Sequence, residues 1–87
     1  MTDTQQLFKR WRCELAELIR RTNTLNADTF AELLKATAIL MGDQQAVAQA
    51  IGMSRPQVSR YCAGVMPRSA PFARHLLNNL ASALEAQ

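Results

Sequence analysis

The sequence predicts an all-α protein of about five helices that form a single domain, 1–87. Apolar residues recur at helical spacing in five segments, and no segment alternates apolar and polar residues as a half-buried strand would. The chain has 87 residues, of which 48% are hydrophobic. This length supports one compact core and is too short for two, so we expect every helix to contribute to the same core.

Charge and composition narrow the class of protein. Residues 54–87 carry four basic groups and one acidic group, whereas residues 26–53 carry one and three, so the basic bias is strongest at the C-terminal end. That bias is compatible with a polyanionic partner. No apolar run approaches the roughly 20 residues that span a bilayer, and the N-terminus lacks the layout of a secretory signal. Two cysteines form no disulfide framework, so we expect a cytoplasmic protein.

Residues 1–25 contain the first helix, which we expect over about 4–22. It is strongly amphipathic, with one apolar stripe formed by Leu7, Phe8, Trp11, Leu15, Leu18 and Ile19. A domain this small can hardly spare Phe8 and Trp11 from its core, so we expect the stripe to face the core and not a membrane. Cys13 falls on the polar side, which predicts an exposed thiol.

The second and third helices are marked by their caps. Asn26 can cap a helix that runs to Met41, and Asp43 can cap a short helix over 44–51. Ile39 falls on the polar side of the second helix. It is either a lone exposed apolar residue or a docking point for the first helix or a second subunit.

The fourth and fifth helices begin at serines. Ser54 with Gln57 fits a capping box, Pro56 suits a first turn, and Gly64 ends this helix. Its inward residues are expected to be Val58, Tyr61 and Cys62. Ser69 can cap the last helix, with an inward face of Phe72, Leu76, Leu77, Leu80, Ala83 and Leu84 and an outward face of Arg74, His75, Asn78 and Ser82.

We expect no catalytic site, no metal and no cofactor. The only histidine, His75, lies on a polar helical face with no carboxylate three or four residues away, which is typical of a surface residue. The sequence contains no glycine-rich phosphate loop, no Cys-x-x-Cys and no cluster of carboxylates. A converging set of catalytic groups is therefore not predicted.

The segment 44–63 has the spacing of two helices that cross steeply after a short turn. Ala48 is small where the helices would approach, Gly52 supplies the backbone freedom for the bend, and Val58 and Tyr61 would fasten the second helix to the core. In this order, "QQAVAQAIGMSRPQVSRYCAG" resembles the helix-turn-helix of the lambda-repressor-like (Cro/repressor, XRE-type) DNA-binding family. The resemblance covers about residues 28–84. The long first helix and the proline at position 56 depart from the family pattern.

Helical geometry places several polar side chains on the outward face of the fourth helix. The outward face presents Pro56, Ser59, Arg60 and Ala63, with Arg55 and Gln57 on its flanks. A helix that enters the major groove by its N-terminal end would bring Arg55, Pro56, Ser59 and Arg60 nearest the bases, and Arg55 is a candidate for either a base or a phosphate. Arg60 is the first choice for reading guanine, and Gln57 can bond adenine or a phosphate. The family resemblance implies that Gln44 contacts the DNA backbone; Ser54 and Arg68 are further phosphate candidates.

These observations lead to one functional hypothesis and two rivals. The hypothesis is a sequence-specific double-stranded DNA-binding transcriptional repressor that acts as a homodimer on a palindromic operator. Either the first helix, with or without Ile39, or the exposed side of the last helix would supply the dimer contact. One rival is an antitoxin-like regulator whose first helix docks a partner protein. The other is a helical adaptor that uses the two-helix corner only structurally.

Overall fold

The computed structural model describes residues 2–23 and 25–86, which form five α-helices and contain no strand. The all-α prediction is confirmed, and the predicted boundaries agree to within about two residues. The helices are α1 (Thr2–Arg21), α2 (Ala27–Met41), α3 (Gln44–Ile51), α4 (Arg55–Cys62) and α5 (Ala70–Ala86). In the described part of the chain, no helix is both long and apolar enough to cross a membrane.

All four predicted N-caps are confirmed. Asn26 Oδ1 accepts a hydrogen bond from the Thr29 amide at 2.8 Å, and Asp43 Oδ1 accepts one from the Ala46 amide at 2.9 Å. The two serine caps are longer: Ser54 Oγ to the Gln57 amide is 3.4 Å, and Ser69 Oγ to the Phe72 amide is 3.3 Å. Each such cap satisfies an amide that has no acceptor within its helix, which is typically worth about 1 kcal/mol.

The core lies where α2 and α5 meet the other helices. α5 packs against α1, α2 and α3, while α4 packs against α2 and α3. Phe30 and Tyr61 join α2 to α4 with their rings edge to face, 5.4 Å apart and at 84°. Thr37 is a fully buried polar residue of α2, and its hydroxyl donates to the Leu33 carbonyl at 2.7 Å. The buried hydroxyl of Thr37 therefore has a hydrogen-bond partner.

α1 does not bury its apolar stripe as predicted. Only one edge of the stripe meets the protein: Ile19 and the neighbouring Ala16 are fully buried, and Leu15 is half-buried. The remainder is exposed to solvent: Leu7 45%, Phe8 39%, Trp11 45% and Leu18 54%. The expectation that Phe8 and Trp11 belong to the core is wrong, because α1 lies on α5 along a line rotated roughly 60° from the centre of its stripe.

Two residues of α5 also lie differently from the prediction. Arg74, expected on the outward face, is half-buried and ties α5 to the end of α1: Nη1 donates to the Ile19 carbonyl at 2.9 Å, and the other terminal nitrogen donates to the Thr22 carbonyl. Those carbonyls lie at the C-terminus of α1, which favours a cation. Phe72, expected inside, is 43% exposed and stacks on His75.

Candidate nucleic-acid interface

The corner between α3 and α4 is a Schellman motif. The Met53 amide donates to the Ala48 carbonyl at 2.9 Å, and the Gly52 amide donates to the Gln49 carbonyl at 3.4 Å. Gly52 has φ 69° and ψ 33°, the left-handed conformation that favours glycine. Apart from Gly52 and its two chain neighbours, no residue has an atom within 4 Å of the place where a β-carbon would stand. The glycine is therefore required by the backbone conformation and not by crowding.

The inward side of the corner is closed against the core. Ala48, Val58 and Tyr61 are at most 4% exposed, as the spacing of the sequence predicts. Ile51 and Cys62 are buried beside them. Because burial holds this side of α4, its rotation is determined and the opposite side faces solvent.

We call the solvent-facing side of this helix the α4 outer face: Arg55, Pro56, Ser59 and Arg60 together with Ala63, which follows the helix. All five residues are exposed, and Gln57 on the flank is half-buried. Pro56 lies in the first turn, where the missing amide leaves no bond unmade. The exposure of these residues follows from helical periodicity once the inward side is known.

Among the described residues, the arginine side chains of this region have no hydrogen-bond or ion-pair partner. The four ion pairs among the described residues join side chains of α1, α2 and α5. Arg55, Arg60 and Arg68 are exposed and take no part in them. Their guanidinium groups keep their donors available for an external anion or base edge.

Ser54 and Gln44 stand at the N-termini of the two helices. Ser54 uses a lone pair of its hydroxyl as the cap of α4, and its hydroxyl proton remains available as a donor. Gln44 is the first residue of α3 and is half-buried. Asp43 places a carboxylate at this helix end and engages the Ala46 amide, so a phosphate here would be held by the Gln44 side chain and not by that amide.

The loop after α4 carries Arg68 and also Val65, a residue with no predicted role. The Val65 amide donates to the Arg60 carbonyl and the Gly64 amide to the Tyr61 carbonyl, both at 3.1 Å, which ends α4 in a second Schellman motif. Val65 itself is 54% exposed. An apolar residue in a loop gives no periodic signal, so only the structure places Val65 in solvent at the end of α4.

Burial raises the pKa of the Cys62 thiol, and the nearby Lys35 opposes that shift in part. Cys13 is exposed and Cys62 buried, as predicted. Among the described residues, no three His, Cys, Asp or Glu side chains are grouped so that they could hold a metal ion.

Comparisons of the chain with protein-family models, with curated proteins and with solved structures found no match.

Proposed function

We propose that the protein binds double-stranded DNA in a sequence-specific manner, with α4 lying in the major groove. The observation that carries the proposal is the α4 outer face: exposed arginines without a partner in the described part of the chain, on a helix whose inward side is buried. A rigidly held helix with free arginine donors is the arrangement that base reading requires. The resemblance to the lambda-repressor-like family supports the same proposal.

The dimensions of α4 suit the groove. An α-helix with its side chains is about 10–12 Å across, which matches the roughly 12 Å width of the major groove of B-DNA. Arg60 lies midway along the outer face and would pair with O6 and N7 of a guanine. Pro56 and Ala63 would contact thymine methyl groups, and Gln57 would bond adenine or a phosphate.

Phosphate contacts would set the position of the helix on the duplex. Arg55 and Arg68 supply charge, while Gln44 and Ser54 supply neutral donors near two helix N-termini. The arginine contacts would make the affinity depend on salt concentration. The protein would act in the cytoplasm as a transcriptional repressor, a homodimer that occupies a palindromic operator and excludes polymerase.

Selection from randomised duplexes tests the proposal, with wild type compared with Arg60→Ala at several salt concentrations. We expect wild type to select a sequence, and Arg60→Ala to lose about 10- to 100-fold in affinity for it because a bidentate guanine contact contributes about 1–3 kcal/mol. The matched control is Lys9→Ala, which removes one exposed positive charge from α1, a helix that does not pack on α3 or α4. Wild-type binding without sequence preference, or equal losses in both variants, would refute the base-reading role.

A second candidate function is favoured by the exposed apolar residues of α1. An antitoxin-like regulator would bind DNA through α4 and a partner protein through Leu7, Trp11 and Leu18. An adaptor without DNA binding would use the same residues of α1 and leave the α4 outer face unused. The selection experiment separates the adaptor from the two DNA-binding proteins, because only the adaptor shows no salt-dependent binding to duplexes.

A further inference from the structure

Four exposed apolar side chains of α1 form what we call the α1 apolar face: Leu7, Phe8, Trp11 and Leu18. The rings of Phe8 and Trp11 pack edge to face, 5.3 Å apart and at 80°. They pack on each other while about two fifths of each side chain remains in solvent. Exposing a contiguous apolar patch to water is unfavourable, and such patches mark surfaces that bind a partner.

The extent of the α1 apolar face points to a protein partner. From the exposed fractions, the four side chains leave on the order of 300–400 Å² of apolar surface uncovered, as large as the largest patch on a typical monomer. Two such faces brought together would cover about twice that area. With the polar residues around them, the total approaches the ~1,200 Å² at the lower end of specific interfaces.

The spacing of the apolar residues suits a second helix. Phe8, Trp11, Leu15 and Leu18 follow one another at intervals of three, four and three residues. This is the interval of a seam between two helices packed side by side. Leu15 is half-buried against the protein and continues the seam inward.

The charges beside the α1 apolar face indicate which helix fits. On the flank away from the core, Asp3, Arg10, Glu14 and Arg21 alternate in sign as acidic, basic, acidic, basic, and all four are exposed. Asp3, Leu7 and Arg10 line one shallow hollow, which places the charges directly beside the apolar side chains. The four positions are symmetric about residue 12, so a copy of α1 laid antiparallel presents the opposite sign at every position.

We propose that α1 is the contact between two copies of this chain, paired antiparallel about a two-fold axis near residue 12. Asp3 would face Arg21 of the partner subunit, Arg10 would face Glu14 of the partner subunit, and Leu7 would meet the partner's Leu18. In a parallel two-fold pair this flank would lie beside the opposite flank of the partner helix, so the four charges would not meet their complements. α1 packs on α2 and α5 and not on α3 or α4, so the pairing leaves the α4 outer face open.

This inference names the dimer contact that the proposed function needs and rests on it to that extent, but its test contains no DNA. Mass is measured by light scattering and sedimentation equilibrium over a hundredfold range of protein concentration. We expect wild type to pass from monomer to dimer, and Leu18→Glu to remain a folded monomer because Leu18 is 54% exposed. A wild type that stays monomeric, or a Leu18→Glu variant that is folded and still dimeric, overturns the proposal.

A charge exchange tests the antiparallel arrangement. Asp3 and Arg21 stand 18 residues apart, about 27 Å along one helix, so they meet only between two copies. We expect Asp3→Arg and Arg21→Asp each to weaken the dimer about tenfold, and the double variant to recover most of that loss. Arg21→Asp also removes the pair with Glu17, so the recovery in the double variant, and not the single loss, decides the test.

The control for the charge exchange is Lys9→Glu, an equal change of charge on the opposite flank of α1, for which we expect an unchanged dimer. Circular dichroism verifies that each variant keeps its helical content. If the double variant is as weak as the two single changes combined, the antiparallel pairing is wrong. DNA selection by a protein that is monomeric in these measurements would refute the α1 contact and leave the proposed DNA binding intact.

Discussion

Replacing Gly52 with alanine tests whether the left-handed backbone conformation at this residue is what requires a glycine between α3 and α4. The residue has φ 69°, a conformation that costs an L-residue about 1–2 kcal/mol. Alanine also restricts the unfolded chain, which returns about 0.4–1 kcal/mol to the folded state. Because no residue beyond the two chain neighbours has an atom within 4 Å of the added β-carbon, no steric cost is added. The net loss is therefore about 1 kcal/mol, or roughly 4–8 °C in Tm for a domain of this size.

Urea denaturation followed by circular dichroism measures this loss. The mirror-image residue sharpens the test: D-alanine at position 52, introduced by chemical synthesis, prefers the left-handed region and should stabilise the protein by a similar amount. A loss above about 3 kcal/mol for L-alanine would show that crowding matters and would refute the conformational explanation. Gly42→Ala is the matched comparison: Gly42 also has a positive φ, 114°, but lies at the end of α2 outside the corner, so we expect a loss there as well.

Two further predictions concern stability. Arg74→Ala should lower the free energy of unfolding by about 2 kcal/mol in urea denaturation, because two charge-assisted hydrogen bonds to the end of α1 are lost. The control is Asn78→Ala on the exposed side of α5, which should change the free energy of unfolding little. Equal effects of the two substitutions would contradict the role of Arg74. Burial raises the pKa of Cys62 above its ordinary 9.0, so the folded state disfavours the thiolate, and stability that is complete below pH 9.0 should fall as the pH rises through the folded-state pKa. Cys62→Ala should remove this alkaline decline, measured as the urea midpoint against pH, and a decline of the same size in that variant would assign it to other groups.

The sequence predicts the base-reading residues of the candidate site better than it predicts the phosphate candidates. Helical periodicity places Arg55, Ser59 and Arg60 on one side of α4, and the exposure of all three agrees. Whether the phosphate candidates can reach the DNA backbone depends on where neighbouring helices end in space. Asp43 and Gln44 stand side by side at one helix end, where the hydrogen bond from the Ala46 amide confirms the cap that the sequence predicts at Asp43. Tertiary packing alone decides that Gln44 beside it is half-buried.

The sequence predicts those features that depend only on contacts between residues close together in the chain. The caps at Asn26, Asp43, Ser54 and Ser69 and the turn at Gly52 each depend on atoms within about five residues, so the sequence by itself predicts the helix boundaries and the corner. The all-α class follows from the period of the apolar residues, which each segment displays on its own.

Tertiary packing alone decides which part of an apolar face becomes core. The stripe of α1 is wider than the line along which a helix touches its neighbour, and nothing within α1 tells Ile19, which is buried, from Trp11 and Leu18, which are not. Arg74 likewise finds its acceptors 52 and 55 residues away. Such contacts depend on how α1 and α5 cross, and no local spacing in the sequence encodes that angle.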